Sequence, residues 1–179
     1  MNIKDHKPEY RNWSRLIIAI TATAISGATL VFQVILWTDR ENRTDHIDRA
    51  IIVAQALDIS RIESLTGTSA DIGTPYYQKL KAQLAAIKES DSRYRFVYLM
   101  GQLLDGKVFF FADNEPAGSP DESPPGQIFS EASEEDLIAF NHKKAVISGP
   151  VADRWGTWVS ALVPLIDPES DRLVAVLGM

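Results

Sequence analysis

The residues best equipped for chemistry stand in three stretches of this chain. Asp153-Arg154-Trp155-Gly156 precedes an apolar run, and a guanidinium beside an indole can clasp a carboxylate or an aromatic ring. Asp113, Glu115, Asp121, Glu122, Ser123 and Gln127 crowd a proline-rich stretch whose polar groups suit a lid over a bound molecule. Tyr98, Phe111 and Trp158 lie in alternating segments, where rings on one face can line an apolar pocket with a few placed polar groups. The candidate ligand-binding residues are therefore Tyr98, Phe111, Asp113, Glu115, Ser123, Gln127, Asp153, Arg154, Trp155 and Trp158. Each has a plainer alternative: the rings as core, and Asp153 with Arg154 as an ion pair or a turn cap.

Other chemistries lack their residues. The chain has no cysteine, which excludes disulfides, thiolate zinc sites and a cysteine nucleophile. Asp113, Glu115 and Gly118 open like a calcium loop, but its twelfth position is Pro124, where a bidentate Glu is required. His6, His46 and His142 are far apart in sequence and imply no metal site. There is no phosphate-cradling glycine loop, nucleophile elbow or kinase signature. We expect no catalytic residues, no metal and no cofactor.

The elements that must position these residues can be read from periodicity. From Thr38 to Leu65 there is no Gly or Pro, and Ile47, Ala50, Ile51, Ala54, Leu57 and Ile62 mark one apolar stripe of a long helix. Thr74-Pro75 reads as an N-cap and first helical position, opening a helix to about Glu89 with Leu80, Leu84 and Ile87 on one side. Tyr94 to Met100 and Lys107 to Asp113 alternate around the hairpin signal Asp105-Gly106. Alternation puts Tyr94, Phe96, Tyr98 and Met100 on one face of the first strand, and Phe109, Phe111 and Asp113 on one face of the second. Trp158 and Ser160 share a face of a later strand, opposite Val159, Ala161 and Val163.

Asn114 to Gly126, with four prolines, is loop. Ser133 with Asp136 reads as a capping box for a short helix to about Phe140. Val146 to Val151 suits an edge strand because of Pro150, and Thr157 to Leu165 with Arg172 to Gly178 form a last pair. No crossover is long enough for parallel pairing. The expected fold is α+β, with about five antiparallel strands packed on a long N-terminal helix.

That helix is preceded by an uncharged apolar run, Leu16 to Trp37, long enough as a helix to cross the roughly 30 Å hydrocarbon core of a bilayer. The run is too long for a secretory signal, and its one Ala-x-Ala lies in the middle. We read it as an anchor. Lys4, Lys7, Arg11 and Arg15 outnumber Asp5 and Glu9 before it, in a chain with 18 Lys and Arg against 24 Asp and Glu. Basic flanks stay in the cytoplasm, so the N-terminus is expected inside and Thr38 onward outside. The acidic remainder argues against nucleic acid as a partner. The expected layout is a cytoplasmic N-terminus (1–15), a transmembrane helix (16–37), a membrane-proximal helix (38–66) and an extracytoplasmic domain (67–179).

Local wording then adds a family. Ser69-Ala70-Asp71 with Tyr76-Tyr77, Arg95 to Met100, Phe109 to Pro116, Ser123 to Gly126 and Gly149 to Ser160 occur in order behind one anchor. Together they resemble the extracytoplasmic Cache-type sensor domains, PAS-like folds of bacterial and archaeal membrane receptors such as sensor histidine kinases and diguanylate cyclases. The resemblance covers roughly Ile47 to Met179. It implies a small-molecule ligand over one sheet face and a displacement relayed through the membrane. It also implies a second membrane helix and cytoplasmic signalling modules beyond Met179, without which the chain would bind but not signal. Related amino-acid receptors place an Arg and aromatic pair after an acidic residue, where this loop reads Asp121 to Gln127. An amine or sugar-like ligand is thus as well suited as an amino acid.

The expected function is a membrane-anchored ligand-sensing input module in the cytoplasmic membrane, without catalysis in this chain. The apolar stripe of the membrane-proximal helix adds an expected parallel homodimer. Two alternatives remain from the residues alone: an anchored hydrolase using Asp and Glu, or a tether that binds another envelope protein.

Overall fold

The uncharged run and the charged, amphipathic one that follows it lie on a single helix. The computed structural model describes residues 10–153 and 156–179. Helix α1 spans Tyr10–Gln55, and its hydropathy and length from Trp13 suffice to cross a membrane. The chain divides into two compact units, Met1–Arg43 and Thr44–Met179. In the first, the side chains from Leu16 to Trp37 are exposed on every face of the helix. Its polar side chains are internally satisfied where they can be: the Thr23 and Thr29 hydroxyls each donate to the carbonyl four residues back, at 2.9 Å.

The second unit starts inside α1, earlier than the boundary near residue 66 that periodicity suggested. Ala50 and Ala54 are buried against the globular core, so the last turns of α1 are part of that unit. The helix also stops sooner than expected. Although nothing from Thr38 to Leu65 is Gly or Pro, α1 ends at Gln55 and a separate short helix, α2 (Ile59–Ile62), follows. Asp58 caps α2, accepting from the Ser60 hydroxyl at 2.7 Å and the Arg61 N–H at 3.4 Å. A capping side chain thus does what a helix breaker would, and the break lets Ile62 reach full burial.

After a 3-10 turn at Ser69–Asp71 come α3 (Pro75–Ser90), β1 (Tyr98–Gln102), β2 (Val108–Asp113), α4 (Glu134–His142), β3 (Val146–Asp153), β4 (Gly156–Ile166) and β5 (Leu173–Gly178). The Thr74 cap, Pro75 at the start of α3 and the Ser133–Asp136 capping box are all present. The five strands form one antiparallel sheet in the order β2-β1-β5-β4-β3, which puts β3 with Pro150 at an edge. The protein is therefore α+β, with a long N-terminal helix and a five-stranded antiparallel sheet.

Both faces of the sheet are covered. On one, Leu99, Ala161, Val163 and Leu177 pack with Ala50 and Ala54 of α1 and Leu80 and Leu84 of α3. Each fully buried leucine of this layer contributes about 1.5–3 kcal/mol. On the other, Met100, Phe110, Leu162 and Val176 pack with Ala139 and Phe140 of α4. The aliphatic face opposite Trp158 and Ser160 thus packs toward the helices, as its alternation suggested, although Val159 itself stays largely exposed.

β1 starts later than its alternation implied. Tyr94 to Val97 is not strand, because the Asn114 side chain takes the Val97 N–H that a neighbouring strand would have taken. A second departure decides the site. The β1–β2 register slips between Leu99 and Met100, whose partners are Ala112 and Phe110, leaving Phe111 as the extra residue. The bulge leaves Phe109 and Phe111 on the helix-packed side, their rings 4.8 Å apart, and turns Phe110 and Asp113 to the other. Strict alternation had put Phe109, Phe111 and Asp113 together, and the inserted residue breaks that count.

A candidate ligand cavity on one sheet face

A cavity of about 110 Å³ opens beside the α4 face of the sheet. β1 contributes Tyr98, β2 Phe110 and Asp113, β3 Ser148, and β4 Trp158 and Ser160. The rings interlock edge to face: Phe96 with Trp158 at 5.4 Å, Tyr98 with Phe110 at 5.7 Å, and Phe110 tilted on Phe129 at 5.4 Å. Tyr98 lies directly over Gly178 of β5, where a Cβ would meet its ring at 2.1 Å. A glycine at this position is what lets the ring lie flat on the sheet.

The proline loop closes one side. Ser123 N–H donates to Asp113 Oδ2 at 2.6 Å, and Glu115 N–H to Asp113 Oδ1 at 3.1 Å. Lys81 of α3 reaches the same Oδ1 at 2.9 Å and Glu122 Oε1 at 2.8 Å. Arg95 bridges Glu115 and Asp121. Further along, residues 126–129 run beside β2, with Gly126 N–H donating to Phe110 O and Phe129 N–H to Val108 O at 2.9 Å each. The loop is therefore tied down at three places by named bonds rather than draped over the site.

Of the ten candidate residues, Tyr98, Asp113, Ser123 and Trp158 line this cavity. Phe111 does not, having been turned by the bulge into the helix-side core. Glu115 faces a different depression, an open one between α3 and residues 114–117 that also borders Tyr77 and Lys81. Gln127 contributes its backbone to the pairing with Phe110 and is not among the cavity-lining residues. Asp153 ends β3, its backbone paired with Gly156, while its side chain, Arg154 and Trp155 lie outside the described residues.

Several lining residues escaped the sequence reading. Phe110 was hidden by the bulge, which no pattern announces. Ser148, Phe129, Glu131 and Asp136 come from segments read only as strand, loop or cap. Lys81 had a signal: it interrupts the buried stripe Tyr77, Leu80, Leu84 of α3, and a lysine there implies a buried acid opposite.

Asp113 has no vacant oxygen for a ligand, since both carry strong donors. Its contribution is to position the loop. The hydroxyls of Ser123, Ser148 and Ser160 make no hydrogen bond among the described residues, although Ser123 and Ser148 are only 4% and 3% exposed. These are the unspent polar groups of the cavity. No group of three or more His, Asp or Glu is placed to hold a metal among the described residues.

The Lys81 network has a pH signature. Burial pushes the Tyr77 phenol above its ordinary 10.0. For Lys81 burial opposes the charge, but the hydrogen bonds to Glu122 and Asp113 prevail and raise it above its ordinary 10.5. Stabilisation from a raised folded value is complete below the ordinary value and lost as pH rises through the folded one. Thermal unfolding should thus have a level midpoint to about pH 9 and a falling one beyond pH 10.0 to 10.5. Lys81→Met should flatten part of that fall. A profile that stays level well above those values would show that neither group is held by the fold.

In comparisons with known proteins, the chain matches no family model and no curated protein.

Proposed function

We propose that the protein is a membrane-anchored, ligand-sensing input module of a signal-transduction receptor, of the Cache-like kind its local sequence resembles. The observation that carries this reading is the aromatic cavity on one face of an antiparallel sheet, with unspent serine hydroxyls inside and a tied-down loop at its side. Ligand sites have this character: mostly apolar walls with a few polar groups that fix orientation. A hydrolase is less well supported. Two-carboxylate catalysis needs a facing pair free to exchange protons. Here Asp113 is bonded to Lys81 and two backbone amides, Asp121 to Arg95, and Asp136 caps α4, which leaves Glu131 without a second carboxylate free to work with it.

In this reading α1 crosses the cytoplasmic membrane once, with the N-terminus inside and the cavity outside. The bonds from the Thr23 and Thr29 hydroxyls to the backbone support it, since such groups need internal partners in lipid. Signalling would be a displacement of the last strand against α1, a two-state change biased by ligand. The contact of His46 Nε2 with Met179 O at 3.0 Å joins those two elements directly. Output modules and a second span would then lie in the rest of the receptor.

A parallel homodimer through α1 belongs to the same proposal, on narrower grounds than periodicity offered. Ala50, Ala54 and Leu57 are spent on the chain's own core, and Ile51 packs partly against it. Ile52, at 66% exposure, remains for a partner.

Two experiments test this. In membranes, a Cys at Ser170 should be labelled from the outer side and one at Asn2 spared, while a Cys at Ile52 should crosslink between chains. The reverse labelling would end the sensor reading, and absent crosslinks would end the dimer. For the cavity, a small-molecule screen by thermal shift should yield a ligand whose stabilisation, which scales as RT ln(1 + [L]/Kd), disappears in Tyr98→Ala. Stabilisation unchanged in that variant would show that the aromatic face is only core.

A further inference from the structure

We infer that the cavity selects a small organic cation: an ammonium group bearing short alkyl substituents. This rests on the cavity being the ligand site, and it follows from which charges on the wall are already matched. Among the described residues of the wall, an anion would find no unspent cation. Arg93 is bonded to Asp91, Arg95 to Glu115 and Asp121, and His46 turns Nε2 to the Met179 carbonyl.

The acids differ. Glu131 takes a hydrogen bond from the Ser130 hydroxyl alone, at 3.2 Å. Asp136 takes one from the Ser133 N–H, at 2.8 Å, as its part of the α4 cap. No cationic side chain among the described residues pairs with either carboxylate, and Asp136 is buried. Both line the cavity.

One further feature points to a cation, and a second marks the same wall as built for a polar ligand. Phe129, just before Glu131, stacks with Phe110 and through it with Tyr98, offering π faces that attract a cation, most strongly when it is desolvated. Ser148 brings an unbonded hydroxyl, almost wholly buried, to the same wall. The enclosed part of the cavity holds a small group. At about 110 Å³ the cavity is smaller than the ~150 Å³ of one that admits benzene, so it suits a handful of heavy atoms.

The test compares three probes on the full chain in maltoside micelles: tetramethylammonium, tert-butanol as a neutral molecule of the same heavy-atom count, and acetate. Tetramethylammonium should raise the unfolding midpoint and bind at least about tenfold more tightly than tert-butanol. Glu131→Gln should remove most of that preference while leaving tert-butanol unaffected, and Phe129→Leu should weaken the cation selectively. Acetate or tert-butanol binding as tightly as the cation would overturn the inference while leaving a ligand-sensing cavity in place. It would equally fall if tetramethylammonium gave no stabilisation or Glu131→Gln left its affinity unchanged. Cation binding that survives Tyr98→Ala would place the site elsewhere and overturn both this inference and the assignment of the cavity.

Discussion

Lys81→Met is expected to destabilise the globular unit by roughly 3–5 kcal/mol, the usual cost of leaving buried charge uncompensated. The Lys81 side chain is 14% exposed, and those of its two acids, Asp113 and Glu122, 4% and 13%. The ammonium lies 2.9 Å from one and 2.8 Å from the other. Removing it leaves two largely buried carboxylates without their cation, at the point where the proline loop joins α3. The loss should appear as a lower urea midpoint with an unchanged slope. Neutralising the acids as well, with Asp113→Asn and Glu122→Gln, should recover a large part of it, because the penalty comes from unpaired charge rather than from a missing attraction. A change below about 1 kcal/mol in Lys81→Met would show that the network is solvated and behaves as a surface ion pair.

Gly178→Ala should cost about 1–3 kcal/mol through overpacking, and the cost should depend on Tyr98. The added Cβ would stand 2.1 Å from Cε2 and 2.3 Å from Cζ of that ring. The strand cannot retreat, because Gly178 is paired with Tyr98 on one side and Leu162 on the other. The ring must therefore swing into the cavity, and ligand stabilisation should fall with it. A double-mutant cycle isolates the contact: in a Tyr98→Ala background the same substitution should cost little, giving a coupling of about 1–3 kcal/mol. An equal cost in both backgrounds would mean that the ring is not what Gly178 accommodates.

The two variants probe different parts of one arrangement. Lys81 acts from outside the cavity, through Asp113, on the loop that closes it. Gly178 acts from beneath, on the ring that forms its floor. Each matters through what stands next to it.

The sequence alone determined the parts of this protein governed by local physics. The uncharged run from Leu16 to Trp37, the Thr74-Pro75 helix start, the Ser133–Asp136 capping box and the Asp105-Gly106 hairpin all depend on neighbours a few residues away, and all are found. The antiparallel β1–β2, β3–β4 and β4–β5 pairs followed from connections too short for parallel crossovers. Tyr98, Asp113 and Trp158 could be picked out because ring and polar residues alternate along strands, and Ser123 because it stands among the polar residues of the proline loop. Tertiary structure decided what local pattern cannot carry. The end of α1 at Gln55 depends on burying Ile62, and the capping aspartate serves that packing. The bulge at Phe111 parts Asp113 from the face that Phe109 and Phe111 share, since one inserted residue reverses a period of two. Most of all, the role of Asp113 was settled by Lys81, 32 residues earlier, and by the Ser123 amide, 10 residues later. Which charges are matched and which are left for a ligand depends on distances across the fold, and no spacing along the chain encodes them.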